Sequence, residues 1–214
     1  MKSSSKALLF DLGNVLLPID LDLTYKAFAQ YSSKYSFEEI KKITHELSLW
    51  TPYESGLQSE EYFRDFLKKE LHLNCTDQEF DKAFNALLLQ FSSDSYEILA
   101  QFKNHFSGLY LLSNTSYIHF LAYRNNELGP NNENIFDLFD QLFFSFEMGL
   151  VKPDAAIYKQ VSETIKKPLS EIVFFDDNVF NIESALNLGM DAHLIQPQTS
   201  LDQIKSTLSA YVNE

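Results

Sequence analysis

Five residues in this 214-residue chain have the types and settings that group-transfer chemistry needs: Asp11, Ser113, Lys152, Asp176 and Asp177. Asp11 follows an apolar run at residues 6–10, Ser113-Asn114 follow Leu109–Leu112, and Asp176-Asp177 follow Ile172–Phe175. Runs that are apolar on both faces read as buried parallel strands. In an open parallel sheet, the residues just past the carboxyl ends of the strands converge on one crevice. Three carboxylates gathered there repel one another, and a divalent cation is the usual way such a cluster stays ionised. An oxygen donor set without His or Cys favours magnesium. Lys152, ahead of Pro153, adds an ammonium. A carboxylate nucleophile, a metal, a hydroxyl and an ammonium are what chemistry through an aspartyl phosphate requires.

Taken singly, each residue has an ordinary structural use. An Asp behind a strand forms turns or caps helices, and Asp177 stands where it would cap a helix holding Ile182 and Leu186. Ser113-Asn114 reads as a common turn and Lys152-Pro153 as a solvated loop. Only their order and spacing set them apart.

The elements that must position these residues follow from the same pattern. Further apolar runs at Gln141–Phe144 and Ala192–Ile195 bring the expected strands to five. Helical spacing lies between them: Tyr96, Leu99 and Phe102; Ile118, Leu121 and Ala122; Ile157, Val161 and Ile165 behind Pro153 in a first helical turn; and Ile182–Leu188 stopped by Gly189. Strands alternating with helices predict an α/β fold, a doubly wound parallel sheet. Residues 18–91 break the alternation. A helix near Leu21–Tyr31 is followed by Ile40, Ile43, Leu47 and Trp50 at threes and fours. Tyr62, Phe63, Phe66 and Leu67 come after Ser59, and Phe80, Phe84, Leu87 and Phe91 after a capping box of Thr76 with Glu79. About four helices and no strand predict an all-helical cap at 18–91, inserted into a core made of 1–17 and 92–214. The polar stretch Asn125–Asn134 reads as a loop.

Composition narrows the function classes. Seventeen Lys and Arg against thirty Asp and Glu give a formal charge of −13, the wrong sign for an unspecific grip on nucleic acid or anionic lipid. The single cysteine, Cys75, excludes an internal disulfide framework and suits a reducing cytosol. Met1–Lys6 has no signal-peptide core, and no run of eighteen apolar residues occurs, so a cytoplasmic protein without a membrane span is expected. The histidines, His45, His72, His105, His119 and His193, show no metal-ligand spacing and read as helix-face residues. Neither Gly-x-Gly-x-x-Gly nor a phosphate loop ending in Gly-Lys-Ser/Thr is present.

The four motifs Asp11-Leu12-Gly13-Asn14-Val15, Leu112-Ser113-Asn114-Thr115, Gly149-Leu150-Val151-Lys152-Pro153 and Phe174-Phe175-Asp176-Asp177-Asn178 resemble, in this order, those of the haloacid dehalogenase-like hydrolase superfamily. The likeness spans nearly the whole chain and is to the branch with a helical cap between the first and second motifs. Within that branch it is similar to the bacterial sugar-1-phosphate phosphatases. Glu54-Ser55-Gly56 with Ser59-Glu60-Glu61 resembles the cap loop of the same branch. The resemblance implies a magnesium-dependent phosphatase of a small phosphorylated metabolite. It makes Asp11 the nucleophile and a metal ligand, the Gly13 carbonyl a second ligand and Asp177 the direct carboxylate ligand. Asp176 would act through water or from behind the ligands. Ser113 and Lys152 would hold the phosphoryl oxygens, beside Asn114. Trp50, Tyr53 and Glu54, in a loop between cap helices, are the expected substrate contacts. Asn181 stands where relatives often carry another acid.

One departure matters. Most phosphatases of this superfamily have an acid two residues after the nucleophile, and here that residue is Gly13. A positioned general acid contributes roughly 10²–10⁴-fold, or about 3–5 kcal/mol of barrier. Its absence predicts a steep dependence on leaving-group pKa, unless a cap carboxylate such as Glu54, or an ordered water, supplies the proton. Two other readings compete. A haloacid dehalogenase also lacks that acid, but has no use for clustered Asp176 and Asp177. A phosphorylatable signalling or phospho-ligand-binding module has similar parts in a different order.

Overall fold

The computed structural model describes residues 4–47, 50–124 and 133–213; most of the polar stretch 125–134 lies outside them. Five strands, β1 (Ala7–Phe10), β2 (Gly108–Ser113), β3 (Gln141–Phe144), β4 (Ile172–Asp176) and β5 (Asp191–Leu194), form one sheet in the order β3-β2-β1-β4-β5. All four pairings are parallel, with Phe10 beside both Leu111 and Phe175. After β1 the chain builds β2 and β3 on one side, then crosses to add β4 and β5 on the other. The switch between β1 and β4 opens the crevice at their carboxyl ends.

β1 and β4 are buried throughout, as central strands must be. β3 and β5 are only partly so; both sit at sheet edges, where one flank lacks a neighbour. That corrects the expectation of uniformly buried strands. The pleat sends Leu8 and Phe10 to one face and Leu9 to the other. The first face packs against helices α6 (Ser93–Lys103) and α11 (Ser200–Asn213). The second packs against α9 (Ala155–Ile165) and α10 (Val179–Asn187) through Ile157, Val161, Ile182 and Ala185. Pro153 precedes α9 by two residues instead of opening its first turn. Gly189 closes α10 at φ +83°, the left-handed conformation glycine adopts cheaply.

Between residues 21 and 87 the described residues form five helices, α1 (Leu21–Tyr31), α2 (Phe37–Glu46), α3 (Trp50–Glu54), α4 (Glu60–Glu70) and α5 (Asp77–Phe84), with a 3-10 turn at Asn85–Leu87. They surround an aromatic cluster of Tyr25, Phe28, Tyr53, Phe63, Phe80 and Phe84, with Cys75 packed at its margin. The Thr76–Glu79 capping box forms as its residues predict. The periodic run ending at Trp50 does not make one helix. α2 stops at Glu46, and Trp50 opens the separate α3, with Pro52 in its first turn. Proline has no amide to donate and is tolerated only there. Trp50, Tyr53 and Glu54 are therefore helical and not in a loop. Among the described residues no helix is long and apolar enough to cross a membrane.

Candidate active site

Strand ends place the chemistry. Asp11 is the first residue beyond β1, its amide donating to the Phe175 carbonyl of β4 at 2.8 Å. Ser113 ends β2 and Asp176 ends β4. Lys152 arrives from the turn before α9, and its Nζ donates to Asp11 Oδ1 and Asp176 Oδ2, both at 2.6 Å. Lys152 is 4% exposed and Asp176 fully buried. Burial alone would depress the Lys152 ammonium; Asp11 and Asp176 outweigh it and hold it above its ordinary value. The Asp11 carboxyl is pushed up to about 7, chiefly by burial, with Lys152 pulling down and Asp176 and Asp177 pushing further up.

Neighbouring amides hold the acids in place. Asn181 Nδ2 donates to both oxygens of Asp176 at 3.0 Å, and the Asn178 amide donates to its Oδ1 at 2.8 Å. Asn181 thus neutralises nothing but orients the buried carboxylate. Asn14 Nδ2 reaches Asp177 Oδ2 at 3.1 Å. Asp177 does not cap α10, because Asn178 does. Asn114 spends its side chain on the backbone of Lys152, accepting from its amide and donating to its carbonyl, each at 2.9 Å. Its side-chain amide therefore serves to fix Lys152.

Asp11, Asp176 and Asp177 each offer an oxygen within 4.8 Å of the others'. One ammonium sits among three acids, so the site is short of positive charge, and its donors are hard oxygens; both fit a magnesium ion. Asp176 already has its oxygens engaged by Lys152 and Asn181, whereas Asp177 is freer to ligate.

Beside this cluster a cleft of about 320 Å³ runs between core and helical insert. Gly13, Ser113, Asn114 and Thr115 form its floor, and Trp50, Glu54, Tyr25 and His45 reach it from the insert. Trp50 is braced by a bond from Nε1 to the Thr44 carbonyl at 3.2 Å. Tyr53 is absent from the lining. It is 2% exposed, its ring stacked on Phe63 at 3.7 Å between centroids, and is a core residue of the insert. That corrects its assignment as a substrate contact. Among the lining residues not foreseen from sequence are two histidines, His45 and His119. His119 Nδ1 lies 2.8 Å from Asn85 Oδ1 and its ring stacks on Phe84; burial lowers it to about 3, so it is neutral near pH 7. No spacing rule marks either residue, because only the docking of insert on core brings them to the cleft.

That docking has a specific close contact. Gly56, at φ +69°, faces the backbone of Phe146 in the short helix α8 (Ser145–Met148), and a Cβ there would lie 2.3 Å from the Phe146 carbonyl oxygen. Gly56→Ala is expected to combine left-handed strain of about 1 kcal/mol with displacement of α3 from the core. The measured consequence should be a lower melting temperature together with a raised KM, since the cleft is bounded by α3.

A parallel sheet with this strand order, an aspartate at the end of its first strand and a buried Lys bridging to a second aspartate define a phosphoryl-transfer-type hydrolase core. The chain belongs to the haloacid dehalogenase-like hydrolase family, whose model matches residues 5–189. Among its relatives, the D-ribitol-5-phosphate phosphatase of Bacteroides thetaiotaomicron is 28% identical over 201 residues, covering 92% of this chain and 94% of that protein. The drimenol cyclase drtB of Aspergillus calidoustus is 29% identical over 201 residues and 92% of this chain, which spans only 35% of that protein's length. A HAD family enzyme of Bacteroides thetaiotaomicron, solved with magnesium and inorganic phosphate, superposes with a TM-score of 0.82 at 27% identity, covering 91% of this chain and 96% of that one.

Proposed function

We infer that the protein is a magnesium-dependent phosphatase of a small phosphorylated metabolite, working through a phosphorylated Asp11. The observation that carries this reading is the buried Lys152 ammonium, 2.6 Å from both Asp11 and Asp176, next to the Gly13, Ser113 and Asn114 floor of a cleft sized for a small leaving group. Asp11 supplies the attacking oxygen. Lys152 neutralises charge on Asp11 and on the incoming phosphoryl group, and the Ser113 hydroxyl holds a phosphoryl oxygen. Asp11, the Gly13 carbonyl and Asp177 would hold the magnesium ion, which when bound offsets the charge of the transferred group.

The leaving group lies in the cleft. Trp50 and Tyr25 offer aromatic faces to the carbon skeleton of a sugar or alditol, and neutral His119 offers a hydrogen-bonding edge to a hydroxyl. The ribitol-phosphate activity named for one relative supports a sugar or alditol phosphate. The division into a core of 1–17 and 92–214 and a cap of 18–91 belongs to this reading, with the cap reading the leaving group, and so does a cytoplasmic setting. Asp176 and Asp177, both kept beside Asp11, disfavour halide displacement.

A hydrolysis screen over phosphorylated metabolites, with and without magnesium, tests the reading. Release of phosphate abolished by chelation supports it. Chloride release from a chloro-acid with no phosphatase activity would replace it with the dehalogenase. Within the metal cluster, Asp177→Asn should weaken magnesium binding by calorimetry at least about tenfold. Asp176→Asn should act more on stability, since it strips Lys152 of a buried partner.

A further inference from the structure

We propose that Glu54, reaching the cleft from α3, is the proton donor to the leaving oxygen, replacing the acid that Gly13 cannot provide; the proposal rests on the phosphatase reading above. Three observations carry it. Among the described residues Glu54 is the only carboxylate lining the cleft, which it shares with Gly13 and Ser113 at the phosphoryl end. Its side chain has no hydrogen bond or ion pair among the described residues, although half-buried, so it is not spent on structure. Its position relative to the core is fixed two residues on, where Gly56 sits against the Phe146 carbonyl with no room for a side chain.

Two other protic groups of the cleft serve poorly. Tyr123 donates to Thr115 Oγ1 at 3.2 Å and is raised well above its ordinary value by burial. His119 is neutral, with Nδ1 committed to Asn85. Burial pushes the Glu54 carboxyl up to about 7, against the pull of Lys152, a value suited to a group that must both give and take a proton near neutrality. Room is not what excludes an acid at position 13, where an added Cβ would meet only Ile19 Cδ1 at 3.5 Å.

The step balances. An Asp11 carboxylate oxygen bonds to phosphorus, the bond from phosphorus to the leaving oxygen breaks, and that oxygen takes the Glu54 proton, leaving Glu54 ionised. Glu54 then takes a proton from a water whose oxygen bonds to phosphorus. The bond from Asp11 to phosphorus breaks, inorganic phosphate departs and Glu54 is again neutral.

The test is single-turnover phosphorylation of the magnesium-loaded enzyme across aryl and alkyl phosphates of graded leaving-group pKa. The wild type should show a shallow dependence. Glu54→Gln should slow alkyl phosphates by about 10²–10⁴-fold while changing 4-nitrophenyl phosphate by only a few fold. Glu54→Asp, which keeps the proton but withdraws it, should fall between. Uniform slowing across the series would assign Glu54 to binding and overturn the proposal. Should Glu54→Gln not fold, the wild-type series decides, because a steep dependence there means no donor acts. A wild type inert toward every phosphate would overturn the phosphatase reading as well, a result distinct from either.

Discussion

Asp11→Asn is expected to lower hydrolysis of every phosphate monoester by about 10⁴-fold or more, because the reaction loses its nucleophile and not a contact. The fold should survive. Asparagine has nearly the same shape, and its amide removes one of three crowded carboxylates while Asp176 still pairs with Lys152. The sign of the pH effect follows from burial. With its carboxyl raised to about 7, Asp11 contributes stability that is present below its ordinary range and lost as pH rises through about 7. Without magnesium, the wild type should therefore lose stability between pH 5 and pH 8 relative to Asp11→Asn. Thermal melts of the two proteins at both pH values check this, and a variant that still turns over any substrate would remove Asp11 from the mechanism.

Lys152→Met is expected to have the largest effect on stability. It strands Asp11 and Asp176, both buried and each 2.6 Å from the lost ammonium. Breaking a buried pair by removing one partner costs about 3–5 kcal/mol, a fall in melting temperature on the order of 10 °C for a chain of this size. Catalysis should disappear with it. Magnesium should recover part of the stability but none of the activity, because a cation beside the acids restores charge without restoring the contact to the phosphoryl group. Melts with and without the metal check both. A change of a degree or less would mean that Lys152 is not buried against the two acids.

Much of this site was legible in the chain. Asp11, Ser113 and Asp176 lie at strand ends because apolar runs of four or five residues, stopped by polar ones, make strands whatever surrounds them. Thr76 with Glu79, and Gly189, announced helix ends through chemistry confined to one turn. α1 spans Leu21–Tyr31, where a helix was expected. The helix expected to run on to Trp50 was misread. Its apolar spacing continues across a break, and spacing records which side chains face inward, not whether the backbone between them stays helical.

By itself, then, the sequence determined the elements, their α/β order and the polar groups gathered at the strand ends, because period, turn residues and strand-end residues act locally. Which insert side chains meet the reacting atoms was decided only in three dimensions. Tyr53 and Glu54 are adjacent in the chain, yet the orientation of α3 against the core buries one on Phe63 and turns the other into the cleft. His119 and Asn85 are 34 residues apart and meet only when insert and core close. The protonation of Asp11 and Glu54 is likewise a tertiary property. It depends on how much water distant chain segments exclude and on where Lys152 lies, and neither is written in any local stretch of residues.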